Sequence, residues 1–332
     1  MKEINSFPKV SLGCFPTPFY KMENLSTKLD MSIYVKRDDL SGLAAGGNKI
    51  RKLEYVLADA LDQKCDTVIT TGQAQSNHAM LTAVASRKVG LEPILVLKKR
   101  GVTGIKGNML LNKIVDADVR FVDSDHYEDV YQEMDCLAEE LTQKGQKPYL
   151  IPVGASVPLG CLGYVAGAIE LFSQADQMGI KIDHIVCASG SGGTQAGLIV
   201  GTKIRNKDTK IIGILTSPEQ DFDELVYSLA LDTCTLLETD LKLSKEDIIL
   251  KEYIGPGYGL PSAEGTSAIK LVAGTEGFLL DPVYTGKAFG GLLSLIREGY
   301  FKRYETIVFI HTGGLPALFA VEADYENKQE LK

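Results

Sequence analysis

The sequence predicts an α/β protein organised around parallel sheets. Three observations point there: short, almost uninterrupted apolar runs such as Ile185-Val186-Cys187-Ala188 and Ile307-Val308-Phe309-Ile310, helix-period segments between such runs, and glycine-rich turns directly after several of them. A run that is apolar at every position has no solvent-facing side, so as a strand it is buried on both faces, the situation of a parallel sheet covered by helices. Strands are predicted over 33–36, 67–71, 94–98, 119–122, 149–153, 184–187, 211–215 and 306–311. Between them, Ile50, Leu53, Leu57, Ala60 and Leu61 fall on one face of a helix that starts at Lys49, and Leu110, Leu111 and Ile114 form a similar stripe. The alternation of the two patterns gives the α/β class. No low-complexity segment, solenoid-length repeat or Pro/Gly/Ser linker interrupts it, so a domain boundary is expected where the chain crosses between two packed sheets.

The 332 residues, 45% of them hydrophobic and 23% charged, suffice to bury two cores, so two lobes are expected. A net charge of -8 argues against a nucleic-acid groove or an anionic membrane surface, both of which need clustered Lys and Arg. A small metabolite is the expected partner. Met1 to Tyr20 carries no sustained apolar core of a secretory signal and no other run reaches membrane-spanning length, which predicts a cytoplasmic protein. Six dispersed cysteines without Cys-x-x-Cys or histidine at metal spacing predict reduced, mostly buried thiols and no metal site.

The chemistry-bearing residues cluster in turns. In Ala45-Gly46-Gly47-Asn48-Lys49-Ile50-Arg51-Lys52, a lysine stands at a helix start beside two further cations. The helix dipole and those neighbours disfavour its charged form, and a neutral amine is what an imine-forming lysine needs, since lysine ordinarily titrates near 10.4. The competing reading is a solvated lysine in a first helical turn. The turn Ser189-Gly190-Ser191-Gly192-Gly193-Thr194 follows a buried strand and opens a helix, so converging N–H groups, the Ser191 and Thr194 hydroxyls and the helix terminus make a phosphate cup. A dinucleotide fingerprint fails because Gln195 stands where the third glycine is needed, and a P-loop fails because no lysine follows Gly197. The glycines can also be explained by a tight turn alone.

A second turn, Gln75-Ser76-Asn77-His78, offers a hydroxyl, an amide and an imidazole at a helix start for a carboxylate or a cofactor oxygen, although Ser76 or Asn77 can equally be a helix cap. A Ser-His-Asp hydrolase is disfavoured, because there is no Gly-x-Ser-x-Gly elbow and His126 and His184 read as ordinary helix and strand residues. Tyr258 and Tyr284 stand on Gly/Pro-stiffened loops where a phenol can act as acid, base or stacking surface, and Thr312 ends the last predicted strand.

Taken together, the motifs Lys36-Arg37-Asp38-Asp39, Gly46 to Leu53, Gln75 to His78, Gly190 to Thr194, Tyr258-Gly259-Leu260-Pro261-Ser262 and Asp281-Pro282-Val283-Tyr284-Thr285-Gly286-Lys287 make the whole chain resemble fold-type II pyridoxal-phosphate enzymes, built like the tryptophan synthase β chain. The likeness is to the group that holds D-cysteine desulfhydrase and 1-aminocyclopropane-1-carboxylate deaminase. It implies two parallel-type sheets flanked by helices in two domains, with 1–53 and 159–332 binding pyridoxal 5'-phosphate and 54–158 inserted as a smaller α/β domain. It also implies a covalent link from Lys49 to the cofactor, a phosphate held by Ser189, Gly190, Ser191, Gly192, Gly193 and Thr194, Asn77 at the ring hydroxyl and Thr312 at the ring nitrogen. Ser76, Asn77 and His78 would bind the substrate carboxylate, Ser76, Tyr258 and Tyr284 would join Lys49 in catalysis, and the assembly would be a homodimer.

Within that group, enzymes that open a cyclopropane ring carry a glutamate directly after the second tyrosine, where this chain has Thr285. A hydroxyl does not hold a pyridinium charge as an acid does, so the resemblance points to prompt β-elimination from D-cysteine. L-cysteate sulfo-lyase and L-cysteine desulfhydrase activities are the next expectations, then the cyclopropane deaminase, and a non-catalytic binding protein of the same fold comes last.

Overall fold

The computed structural model describes residues 1–217, 221–323 and 325. The first half runs β1 (Phe19–Lys21), α1 (Glu23–Leu29), β2 (Ser32–Lys36), α2 (Lys49–Asp62), β3 (Thr67–Gln73), α3 (Asn77–Lys88), β4 (Glu92–Lys98), α4 (Gly107–Ile114), β5 (Asp118–Val122), α5 (Tyr127–Gln143) and β6 (Pro148–Ile151). The second runs α6 (Pro158–Gln177), β7 (His184–Ser189), α7 (Gly193–Ile204), β8 (Lys210–Leu215), α8 (Phe222–Leu236), β9 (Ile249–Glu252), α9 (Ala263–Glu276), α10 (Thr285–Arg297), β10 (Thr306–Ile310) and α11 (Leu315–Leu318). Six strands form one sheet in the order β1-β2-β10-β7-β8-β9, and four form another in the order β5-β4-β3-β6. Every pairing is parallel except that of β1 with β2.

The apolar runs behave as their composition requires. In β10, Val308 and Ile310 pack into the core under α6, α7 and α8, while Ile307 and Phe309 pack into the core under α1, α9 and α10. Strand β7 divides likewise, Ile185 and Cys187 to one face and Val186 and Ala188 to the other. The sheet is thus buried on both sides, and a Phe309→Ala truncation there would cost about 3–5 kcal/mol. In the smaller sheet, Ile69, Ile94 and Val96 meet α5, and Leu95 and Leu97 meet α3 and α4.

Two strands lie outside the predicted set. β1 is a three-residue edge strand and β9 a half-buried one, and neither sits between two neighbours, so neither needs a continuous apolar run. The stripe predicted for α4 points the other way. Leu110 and Ile114 are exposed and Leu111 half-buried, whereas Asn108, Met109 and Asn112 face inward, because Asn108 donates to Gln75 O at 2.8 Å and to Asn77 Oδ1 at 2.7 Å and so turns that face toward α3. Leu61, placed on the buried face of α2, lies at its exposed end.

Helix α2 crosses α6 at backbone contact, since a Cβ on Gly163 would lie 2.2 Å from Arg51 O. A buried ionic cluster reinforces the crossing. Arg51 donates through Nε and Nη2 to Asp38 (2.9 and 2.8 Å) and through Nη1 and Nη2 to Glu170 (3.0 and 2.9 Å), Lys36 Nζ donates to Glu170 Oε1 at 2.5 Å, and Tyr164 donates to Asp38 Oδ2 at 2.6 Å. The strand end of β2, helix α2 and helix α6 are thereby fixed together below the first residue of α2, Lys49.

Candidate active site

Lys49 is placed by two interlocked glycine turns. Gly46 and Gly47 adopt φ of +70° and +133°, and a Cβ on Gly46 would lie 1.8 Å from Asp39 O, so only glycine fits. Asn48 N–H donates to Thr312 O at 3.0 Å, pinning this turn against the end of β10, and Asn48 Nδ2 donates to Thr194 Oγ1 at 3.0 Å, pinning it to the loop that opens α7. The Lys49 side chain is partly accessible through a cavity and otherwise enclosed, and its ammonium is pushed well below the ordinary lysine range, first by burial and then by Lys52. The sequence pattern suggested Arg51 as a contributing cation. It is not one, because Arg51 turns away and is neutralised by Asp38 and Glu170.

The loop after β7 forms one wall. Ser189 Oγ donates to Gln195 Oε1 at 2.8 Å and Gln195 Nε2 donates to Ile249 O at 3.0 Å, so the residue that breaks the dinucleotide fingerprint anchors the loop under the sheet. Helix α7 is capped by Gly192 at φ +73° with no side-chain oxygen; Gly193 N–H donates to Ser191 O at 2.9 Å and to Ser156 Oγ at 3.3 Å, and the next N–H groups of the first turn are left without a cap side chain. Ser156 Oγ donates to Ser191 Oγ at 2.9 Å, and Lys52 Nζ donates to Gly154 O and to Ser156 Oγ, both at 3.1 Å. Burial lowers Lys52 to about 8. An open helix terminus, three hydroxyls and a buried cation converge, a donor set that fits a phosphate. Lys52 and Ser156 were not singled out from the sequence as ligands. Lys52 was findable, since positions three apart share a helix face. Ser156 carries no local signal, being brought in from over a hundred residues away.

Across the cavity, Ser76 caps α3, its Oγ accepting from Ala79 N–H at 3.2 Å, so the capping reading holds and the hydroxyl hydrogen is left to donate. Asn77 Oδ1 accepts from Asn108. The His78 ring is held by threonines, Nε2 at 2.8 Å from Thr70 Oγ1 and Nδ1 at 3.4 Å from Thr82 Oγ1. Burial, with Lys49 and Lys52, keeps that ring well below the usual histidine range and hence neutral. What His78 offers a ligand is its main-chain N–H at the helix start rather than its imidazole.

Tyr258 and Tyr284 meet hydroxyl to hydroxyl, with rings edge to face at 5.9 Å between centroids. Asp281 sets Tyr284. Its carboxylate accepts the N–H groups of Val283, Tyr284 and Thr285 at 2.8, 2.9 and 2.8 Å and the Thr285 hydroxyl at 2.7 Å. Burial pushes the Tyr284 phenol well above its ordinary value, the bond from Tyr258 opposing, so this hydroxyl keeps its proton. Thr285 is thus directed to Asp281, and of the two threonines Thr312 is the one that faces the cavity.

Lys49, Ser76, Asn77, His78, Ser189, Gly190, Ser191, Gly192, Thr194, Tyr258, Tyr284 and Thr312 all line one cavity of about 540 Å³. Gly193 stands just behind it, its N–H donating to Ser191 O at 2.9 Å. The start of α5 supplies residues that the sequence did not flag: Tyr127, Tyr131 and His126 line the same space, and Lys98 Nζ lies 4.4 Å over the Tyr127 ring. His126 is therefore no ordinary helix residue but a rim residue. Two mostly parallel sheets, and a largely enclosed lysine of lowered basicity facing a donor set that fits a phosphate, are the arrangement that a cofactor enzyme of carbonyl-imine chemistry needs.

Comparison with known proteins agrees. The chain matches the family described as "Pyridoxal-phosphate dependent enzyme" over residues 10–313 and belongs to it. It is 44% identical over 317 residues to the "Putative 1-aminocyclopropane-1-carboxylate deaminase" of Pyrococcus abyssi, covering 95% of this chain and 94% of that one. It is 41% identical over 325 residues to the D-cysteine desulfhydrase of Klebsiella pneumoniae (strain 342), covering 96% and 98%. The crystal structure of an ACC deaminase homologue superposes with a TM-score of 0.89 at 42% identity over 95% of this chain and 94% of that one. The protein is a pyridoxal-phosphate-dependent enzyme of the group that holds these deaminases and desulfhydrases.

Proposed function

We propose that this enzyme eliminates the β-substituent of a cysteine-type amino acid, D-cysteine foremost, releasing pyruvate, hydrogen sulfide and ammonia. The observation that carries this reading is Thr285: the position after the second tyrosine holds a hydroxyl tied to Asp281 rather than an acid, and the cavity wall at the end of β10 is the hydroxyl of Thr312. Bound pyridoxal phosphate would supply an electron sink for the carbanion at Cα. Lys49 and the loop from Ser189 to Thr194 would hold the cofactor, with Lys52 behind its phosphate, Asn77 at the ring hydroxyl and Thr312 at the ring nitrogen. The α3 terminus, with the Ser76 hydroxyl and the Asn77 and His78 main chain, orients the substrate carboxylate. Lys49, neutral when not linked to the cofactor, takes the Cα proton, because its lowered basicity keeps the free amine populated at neutral pH. The paired phenols of Tyr258 and Tyr284 then pass a proton to the departing sulfur, and the released aminoacrylate hydrolyses in water.

The relatives' names favour a second reading, ring opening of 1-aminocyclopropane-1-carboxylate, because the deaminase-named relative is as similar as the desulfhydrase. Product analysis separates them. Purified holoenzyme is offered D- and L-cysteine, D- and L-serine, β-chloroalanine, L-cysteate and the cyclopropane acid. Pyruvate from D-cysteine at the highest kcat/KM, without 2-oxobutyrate from the cyclopropane acid, is the expected result. Efficient 2-oxobutyrate production replaces the first reading with the second.

A further inference from the structure

Lys287 is the third residue of α10 and is 1% exposed. Burial and the positive end of a helix both oppose a cation, so its retention there calls for specific compensation. The compensation is visible: Nζ donates to Gly257 O at 2.6 Å, and Asp281 lies close enough to favour the charge. Gly257, at φ +142°, directly precedes Tyr258 in a loop whose Gly255, Pro256 and Leu260 are exposed. Gly257 O also accepts Leu260 N–H at 3.4 Å, a long bond that closes the turn weakly. Tyr258 therefore sits on a glycine-rich surface loop, gripped from inside the protein by a charge-assisted hydrogen bond to the carbonyl next to it.

We propose that Lys287 is a positioning residue that holds Tyr258 in register with Tyr284. One helix start then sets both phenols, Asp281 fixing Tyr284 from the main chain in front of α10 and Lys287 reaching back to fix the Tyr258 loop. The inference rests on the reading in which Tyr258 serves the departing sulfur, and the test distinguishes failure of either.

Wild type, Lys287→Met, Tyr258→Phe and the double variant are compared as holoenzymes on the faster cysteine isomer and on β-chloroalanine, whose chloride leaves without a proton. Lys287→Met should lower kcat on cysteine about ten- to a hundredfold, the order expected of a displaced catalytic group, and change kcat on β-chloroalanine by less than about twofold. In the Tyr258→Phe background the same substitution should cost less than about twofold on either substrate. Chymotryptic cleavage at Tyr258 or Leu260 should quicken in Lys287→Met while the melting temperature of the rest of the protein stays near wild type. Equal losses in both backgrounds, or on both substrates, would show a merely structural lysine and overturn the proposal. Wild-type cysteine turnover by Tyr258→Phe would overturn the role of Tyr258 itself. Should Lys287→Met fail to fold, Lys287→Gln, which keeps an N–H for Gly257 O, is carried through the same cycle, and it should lose less kcat than Lys287→Ala.

Discussion

Two lysines one turn apart on α2 have different surroundings, and the proposed function gives them different tasks that can be measured. Lys49→Ala should abolish the visible absorbance of bound cofactor and all turnover at any cofactor concentration, with the fold intact by circular dichroism. Lys52→Met should retain the band at saturating cofactor but raise the cofactor dissociation constant about ten- to a hundredfold, as loss of a charge-assisted contact to phosphate does. With pyridoxal, which lacks the phosphate, Lys52→Met and wild type should bind alike. Loss of the band in Lys52→Met with retention in Lys49→Ala would reverse the assignment. The place of Lys49 at the start of α2 was legible in the sequence because the Gly46-Gly47 turn has a single conformational explanation, and of the two cations read beside it, Lys52 acts on it and Arg51 does not. Sequence shows which cations are near along the chain, and only packing shows that Arg51 is spent on Asp38 and Glu170.

The strand-turn-helix units were legible wherever a strand is buried on both faces, since continuous apolar runs are then obligatory. The edges of the larger sheet escaped, because β1 and β9 need bury only part of their length, whereas β5 and β6, the edges of the smaller sheet, were legible. Some walls of the cavity escaped for a related reason: Tyr127, Tyr131 and Ser156 come from segments whose sequence signals concern only their own helix or turn. Of the turns themselves, the one capped by Gly192 is the sharpest test. Gly192 holds φ +73°, where a Cβ would also lie 3.2 Å from Leu229 and Val226. Gly192→Ala should therefore cost the apoprotein about 1–2 kcal/mol, a few degrees of melting temperature, from left-handed strain. Its effect on the cofactor dissociation constant should be larger, at least tenfold, because the α7 N–H groups must re-aim. Effects equal in kcal/mol would mean that the glycine serves the turn alone.

The molecule is tied together beneath the site by the ionic cluster of Lys36, Asp38, Arg51 and Glu170. Burial works to raise the two carboxyls, and Arg51, helped by Lys36, outweighs it and leaves both below their ordinary values. Groups whose folded values are depressed contribute stability above the unfolded range and lose it as pH falls, so melting temperature should hold near neutrality and fall once pH drops below about 4. Arg51→Met takes the paired cation from buried Asp38 and leaves Glu170 with Lys36 alone, and should cost about 3–5 kcal/mol. Arg205→Met, which removes a surface pair with Asp176, should cost less than about 1 kcal/mol. A loss from Arg51→Met no greater than that from Arg205→Met would show the cluster to be energetically idle. The order of the larger sheet carries one more consequence, in time rather than in energy. β2 lies between β1 and β10, and Ile310 pairs with Lys36 across roughly 270 residues of intervening chain. At about 5–20 residues per second of synthesis, one edge of β2 waits on the order of 15–50 s for its neighbour. The Asn48 to Thr312 bond that sets the turn before Lys49 waits with it. The nascent chain thus exposes an open strand edge, and lacks the finished turn that places Lys49, until nearly all of it has been made.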